Sequence, residues 1–381
     1  MANYLQIDGA GLDNNVLISS ISCTHGRQNI NSQPSPSTFR CTLQVKSGEY
    51  MPPVVVGSSI VWKVYNSSGF DSKQTIFTGS VTDVSISLEW SNGQGLFTYN
   101  ITGVDALADI DKWLVGGSGF AKDYDGNRIK TILQSIDPGI DVTKIETPGA
   151  YEIAVYSSGS TNALQLIQEA ANSAMGVFYC QPNSAGRFVY QSYLSRKSNT
   201  QITLSTSDVL AFDYTVGATS NLVCNQTQLT YGTGSSGTVY NDTASQAIYG
   251  IRAGVRSTTL HNSSDANSIA QTLLAARAYP SYSLNSLTVN TAIISDALRT
   301  SLSQIEIGTR IAITGLPTSE LESFNGYVEG YSWSSARGQD ILQMNISNAS
   351  EQYPYTLWTD LNLTDTWNTY ATASTKWSDI T

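Results

Sequence analysis

The chain has 381 residues, 40% of them hydrophobic and only 13% charged, with a formal net charge of −10. That length is enough for two or three domains with cores of their own, and that apolar share excludes a largely disordered chain. The acidic balance argues against a nucleic-acid-binding surface, and no apolar run is long enough for a helical membrane span.

The opening MANYLQIDGAG has neither a basic segment nor an apolar stretch, so no secretory signal and synthesis in a cytosol are expected. VLISSIS (16–22) and TFRCTLQV (38–45) read as strands separated by a proline-punctuated loop. With strands over 54–65, 74–88 and 96–104 they predict a first β unit, residues 1–114, with a helix from Asp105 to Trp113 near its end. Residues 115–200 read as an α+β insertion. One helix, Asn127–Ile136, places Ile129, Ile132 and Leu133 on one side and ends before Pro138. The next, TNALQLIQEAANSAMG, is capped by Thr161 or Asn162, striped by Leu164, Ile167, Ala171 and Met175, and closed by Gly176. VFYC and RFVYQSYL around PNSAG predict a hairpin. Residues 201–352 return to β, with DVLAFDYTV and NLVCNQTQLTYG as strands. A helix over Asp265–Tyr279, stopped by Pro280, precedes SLNSLTVNTAI and a second β unit at 304–347. Residues 353–381 form a C-terminal arm in which Trp358, Trp367 and Trp377 follow no core-forming period; spaced aromatics of this kind suit docking on a partner.

The stretch QIEIGTRIAITGLP (304–317) alternates as a half-buried strand, with Ile305, Ile307, Ile311 and Ile313 in phase, yet Gly308 interrupts it. VVVGSSIVW (54–62) repeats the pattern, with Val54, Val56, Gly57, Ile60 and Trp62 at the same relative positions. Each block is followed by a second matching phrase. FTGSVTDV carries Phe77, Gly79, Val81 and Val84, and FNGYVEGY carries Phe324, Gly326, Val328 and Tyr331. Two phrases in one order point to an internal duplication. The expected fold is mainly β: two similar small antiparallel β-barrels flanking an α+β region, with Gly57, Gly79, Gly308 and Gly326 bending the strands.

Reactive chemistry is sparse. The two histidines, His25 and His261, stand in polar contexts and are expected at the surface. The C-T-H at 23–25 matches no zinc spacing, and DYDGN (123–127) lacks the glutamate that a calcium loop requires, so a turn into a helix is the better reading. VGGSGF is not followed by the Lys-Ser/Thr of a phosphate loop. Asp105, Asp109 and Asp111 read as a solvated helix face. No catalytic residue, metal ligand or cofactor is assigned, and the chain is read as no enzyme. Of the four cysteines, Cys23 and Cys41 lie in strands that could face each other and form the one disulfide worth considering; reduced thiols are the default. N-x-[ST] sequons such as Asn66, Asn100 and Asn345 carry no weight without a secretory signal.

The motifs have a familiar order. H-G-R (25–27), P-S-P-S-T-F-R-C-T-L, M-P-P, V-G-x-x-I, F-T-G-x-V-T-D-V and I-T-G-V-D-A-L come first. After the insertion come YGIRAGVRS (249–257), an Ala-rich helix, I-G-T-R-I-A-I and G-Y-V-E-G. Over residues 14–350 this series resembles the minor tail proteins of siphophages infecting Actinobacteria, in the tail-tip or baseplate hub family. The resemblance implies a structural virion protein at the distal end of the tail. It implies a homotrimeric ring of pseudo-six-fold symmetry, partnered by tail-tube or distal-tail rings, other tip proteins and the tape measure protein. DNA would touch it only in transit through the lumen, and no membrane insertion is implied. Many hub proteins carry long C-terminal extensions with lysins or receptor-binding modules, which this sequence does not show. Two other readings stand beside it: a surface or carbohydrate-binding receptor-recognition β protein, suited to the 21 Tyr and seven Trp, and a hub-associated cell-wall hydrolase.

Overall fold

The computed structural model describes residues 3–12, 15–51, 53–65, 73–91, 94–157, 159–182, 187–198, 201–205, 212–217, 223–281, 283–318, 321–336 and 339–352. The main elements of the first part are strands β1 (Asn3–Ile7), β2 (Leu17–Gly26), β3 (Thr38–Lys46), β4 (Ser59–Tyr65), β5 (Lys73–Ser91) and β6 (Gln94–Val104). Helices α1 (Asp125–Ile136) and α2 (Ala163–Ser173) follow, with the hairpin β7 (Val177–Cys180) and β8 (Phe188–Gln191). Then come β9 (Gln201–Ser205), β10 (Phe212–Gly217), β11 (Gln226–Tyr231) and α3 (Ser263–Arg277). The last part holds β12 (Ser283–Asn290), α4 (Asp296–Ser303), β13 (Arg310–Thr318), β14 (Leu321–Ala336) and β15 (Gln339–Asn348).

The fold is mainly β, and its centre is one continuous 13-stranded sheet. Within it two five-strand blocks follow the same path: β2-β3-β6-β5-β4 in the first, β10-β12-β15-β14-β13 in the second. Their registers coincide. Ile60 faces Gly79 and Trp62 faces Phe77, as Ile311 faces Gly326 and Ile313 faces Phe324. Across the other four strands the row Val84–Ile101–Cys41–Ile21 has its counterpart in Tyr331–Met344–Leu287–Tyr214. One bulge is shared, falling between Val81 and Asp83 in β5 and between Val328 and Gly330 in β14, while the shifts in the other strand pairs fall at different places. Since a one-residue slip would turn every side chain to the opposite face, a shared register across five strands means a shared inner face.

The blocks differ at their rims, where β1 adds to β4 antiparallel and β9 adds to β13 parallel. They are joined where β14 pairs with β2. The expected pair of closed barrels does not appear: among the described residues no barrel closes. The physical reason lies in β14. Its first half pairs with β13, and after the bulge the same edge passes to β2 of the other block.

One core runs beneath both blocks, from Phe39, Trp62 and Phe77 to Phe324, Trp333 and Met344. Phe39 stacks on Phe77 with ring centroids 5.1 Å apart and meets Trp62 edge-on at 6.3 Å. Such aromatic contacts add about 0.5–1.5 kcal/mol beyond area burial. A second core lies under α1, α2 and the β7–β8 hairpin, and it takes in Leu229, Leu260 and Ile269 from β11, a following loop and α3. The helices follow their predicted faces: Ile129, Ile132 and Leu133 are buried on α1, and Leu164, Ile167 and Ala171 on α2. Asn162 caps α2 by accepting a bond from the Gln165 amide at 3.0 Å. Between Asp105 and Trp113 only Leu107–Ile110 is helical. No helix among the described residues is long and apolar enough to cross a membrane.

Candidate functional site

The glycine breaks are turns at the mouths of β4 and β13. Residues 304–317 do not form one strand, because Gly308 has φ +86° and β13 starts only at Arg310; Gly57, with φ +93°, likewise precedes β4. Both glycines donate their amide to the same partner, Gly57 to the Val81 carbonyl at 2.8 Å and Gly308 to that of Val328 at 2.7 Å. The next carbonyls, of Ser58 and Thr309, each accept the returning valine amide at 2.9 Å. Positive φ disfavours a side chain, so glycine suits both places. Gly79 and Gly326 have a different task. A Cβ on Gly79 would come within 2.7 Å of the Phe77 ring, and one on Gly326 within 2.5 Å of the Phe324 ring. Each glycine lets the phenylalanine two residues before it fold flat over the strand. Trp358, Trp367 and Trp377 lie outside the described residues.

The join between the blocks is built around buried charge. Gly26 opposes Gly330, and a Cβ on either would come within 2.6 Å of the facing backbone. The close approach carries Glu329, the extra residue of the β14 bulge, into the interior. There it meets Arg27 at 2.6 Å and Arg196 at 3.1 Å, with all three side chains buried. Ser347 also donates to Glu329, and the Arg27 amide donates to the Glu329 carbonyl at 2.9 Å. Burial opposes ionisation of Glu329, but the Arg196 and Arg27 charges and the Ser347 bond outweigh it and hold the carboxyl down to about 2. Arg196 comes from the 3-10 turn Ser195–Ser198, so the helical layer is tied to the same carboxylate as both sheet blocks. Gln33, in the β2–β3 loop, adds a second tie by donating to the Gly176 carbonyl at 2.8 Å and accepting from the Phe178 amide.

Several residues lie elsewhere than their surroundings in the sequence suggest. His25 is not at the surface. β2 continues through it, so the ring is buried between Tyr179 and Tyr331, and Nδ1 lies 2.6 Å from the Ser37 hydroxyl. Burial holds its imidazole down to about 4, leaving it neutral near pH 7. His261 is exposed. Asp105 is buried rather than solvated. It accepts the Leu107 amide at 3.1 Å, and burial pushes its carboxyl up to about 6. Asp109 pairs with Lys112 at the surface. In DYDGN, Asp125 opens α1 as a buried acceptor for the Tyr151 amide and the Tyr190 hydroxyl, so the segment is a strand-to-helix turn. Cys23 and Cys41 are both free and buried, and burial pushes the Cys23 thiol up to about 12. They cannot face each other because Cys23 opposes Phe39 while Cys41 opposes Ile21.

A cleft of about 300 Å3 opens along the join, lined by Thr24, Arg27, Ser35, Tyr331, Gln343 and Asn345. Its one charged side chain is already committed to Glu329. Among the described residues no group of three or more His, Cys, Asp or Glu is placed to hold a metal ion. The arrangement supplies rigidity. It locks three parts of the chain at one buried point.

No family model matches the chain, and no curated protein matches its sequence. Solved structures do match. The 43 kDa tail protein of prophage MuSo2 from Shewanella oneidensis superposes with a TM-score of 0.60 at 13% identity, covering 92% of this chain and 99% of that one. A tail protein from Neisseria meningitidis MC58 gives 0.59 at 12% identity, over 92% and 98%. An E. coli component of the type VI secretion system gives 0.50 at 11% identity, over 92% and 78%; it is described as structurally similar to the T4 bacteriophage tail proteins gp27 and gp5. The chain has the fold of these tail proteins.

Proposed function

We propose that this chain is a structural component of a phage tail, a tail-tip hub that closes or adapts the distal end of the tail tube. The observation that carries the proposal is the pair of five-strand blocks with one path and one register, joined in a single sheet. Three copies of such a chain present six similar faces, so one ring meets a six-fold tube on one side and a three-fold tip on the other. The blocks serve as six barrel-like ring segments, shaped at Gly57, Gly79, Gly308 and Gly326. The fold shared with tail proteins supports this reading, and the narrower likeness to minor tail proteins of actinobacterial siphophages rests on motif order.

In this reading the partners are two further copies of the chain, a tube or distal-tail ring, other tip proteins and the tape measure protein. DNA is met only in passage through the lumen. The work is done by shape and rigidity, with no cofactor and no reaction. Trp358, Trp367 and Trp377 serve as docking anchors on a neighbour. Light scattering on the purified chain tests the proposal: a mass of three copies is expected, and a strict monomer at all concentrations would overturn it.

A further inference from the structure

We infer that the free half of β5 in one copy pairs antiparallel with β10 of a second copy, repeating between chains the join that β14 and β2 make within one. The inference rests on the ring reading and supplies its joint.

Four observations carry it. First, both edges are open among the described residues. From Lys73 to Ser80, β5 pairs with β4 on one side; from Asp83 onward that side is unpaired, while β10 ends the sheet with β12 as its neighbour. Second, the matched registers place Asp83–Leu88 where Gly330–Ser335 stand, and Gly330–Ser335 is the run that pairs with β2. By the same match β10 stands where β2 does.

Third, the open half of β5 is apolar at every second position, Val84, Ile86, Leu88 and Trp90, with Asp83 and Glu89 as its charges. Ile86 holds the position of Trp333, yet Ile86 is 56% exposed and Trp333 only 1%. Trp333 lies in the main core and stands opposite Cys23 of β2, whereas Ile86 has no strand opposite it on that edge among the described residues. Leu88 and Trp90 are exposed with Ile86, and no lysine or proline stands in Asp83–Ser91 to keep another strand away. An edge of that kind pairs with a strand when one of the right register is offered.

Fourth, the occupant is fixed by the internal match. Placing the first block of one copy against the second block of the next repeats the step that relates the two blocks of one chain. Such a head-to-tail contact closes into a ring when the rotation allows, and six blocks are three chains. The register then sets Ser87 opposite Thr215 and Leu88 opposite Tyr214, as Ser334 opposes Ser22 and Ser335 opposes Ile21. One difference separates the two joins. The bulge position that holds Glu329 in β14 is Thr82 in β5, so the joint between chains lacks the Arg27–Glu329–Arg196 clamp. The join within a chain is locked on folding, whereas the joint between chains forms on assembly.

The test is a cysteine pair, Ser87→Cys with Thr215→Cys, made in a Cys224→Ser background and oxidised mildly. The expected product is a covalent trimer on a non-reducing gel, with neither single variant cross-linking. Trimers by light scattering that fail to cross-link would place the joint elsewhere and overturn this inference while leaving the ring reading intact. A chain that never associates would overturn both. In parallel, Ile86→Lys should leave the melting temperature of the subunit unchanged and weaken association by about tenfold or more, the effect of about 1.4 kcal/mol. Normal association of that variant would also overturn the inference.

Discussion

Arg27 and Glu329, 302 residues apart in sequence, meet at 2.6 Å in the interior, and Arg196 reaches the same carboxylate from the helical layer. Buried ions are costly to desolvate, so the triad specifies how three parts of the chain sit together more than it adds net stability. Removing one member leaves the others uncompensated. Glu329→Gln is therefore expected to cost about 3–5 kcal/mol in a urea titration. Replacing the triad together by Met, Met and Leu should cost less than the single change. Equal losses would mean that the carboxylate is not the point at which the charges balance.

Acid should loosen the join in a predictable window. Glu329 is held down to about 2 from an ordinary 4.5, so its contribution is present above 4.5 and fades as pH falls toward 2. His25, held down to about 4 from 6.5, acts in the same direction: the unfolded chain takes up this proton below 6.5, and the folded chain only near 4. Asp105, pushed up to about 6 from 3.8, opposes it, because the folded state takes up that proton first as pH falls through the same window. His25→Gln separates the two. Between pH 6.5 and 4 the variant should lose less stability than the parent, by up to about 3 kcal/mol. Parallel pH curves would show that His25 takes up its proton in the folded chain as it does in the unfolded one, so that burial does not hold its imidazole down.

The duplicated glycines should fail in matched pairs and in two different ways. Gly57→Ala meets open space and carries only the strain of positive φ, about 1–2 kcal/mol. Gly79→Ala and Gly326→Ala instead drive a methyl into a phenylalanine ring and the facing backbone, and are expected to cost about 1–3 kcal/mol or more through overpacking. Similar losses at Gly79 and Gly326, read from denaturant midpoints, are the expected signature of one design used twice.

Removing residues 355–381, with Trp358, Trp367 and Trp377, should leave melting nearly unchanged and impair assembly into tails. A truncated chain that fails to fold would show that this segment belongs to the subunit's own core. Normal assembly would leave those tryptophans with no docking role.

Local chemistry made the duplicated hairpins legible in sequence. A positive-φ glycine ahead of a strand and a Phe-x-Gly two-residue spacing both leave their mark within ten residues. The helices were legible for the same reason, since Leu164, Ile167 and Ala171 keep one face over about two turns. The join was not. Strand periodicity tells which face is buried but not which edge is paired, so it could not show β14 passing from β13 to β2. The pieces were present, H-G-R at 25–27 and V-E-G at 328–330, with nothing local to connect them. His25 misled for a related reason: its polar neighbours suggest a turn, whereas distant Tyr179 and Tyr331 bury it.

The most direct measurement is an image of the purified assembly. Class averages viewed down the axis should show a ring with three-fold symmetry and six similar lobes around an open or plugged centre. A ring of any other symmetry, or three lobes without the paired repeat, would contradict the reading of this chain as two ring segments joined in one sheet.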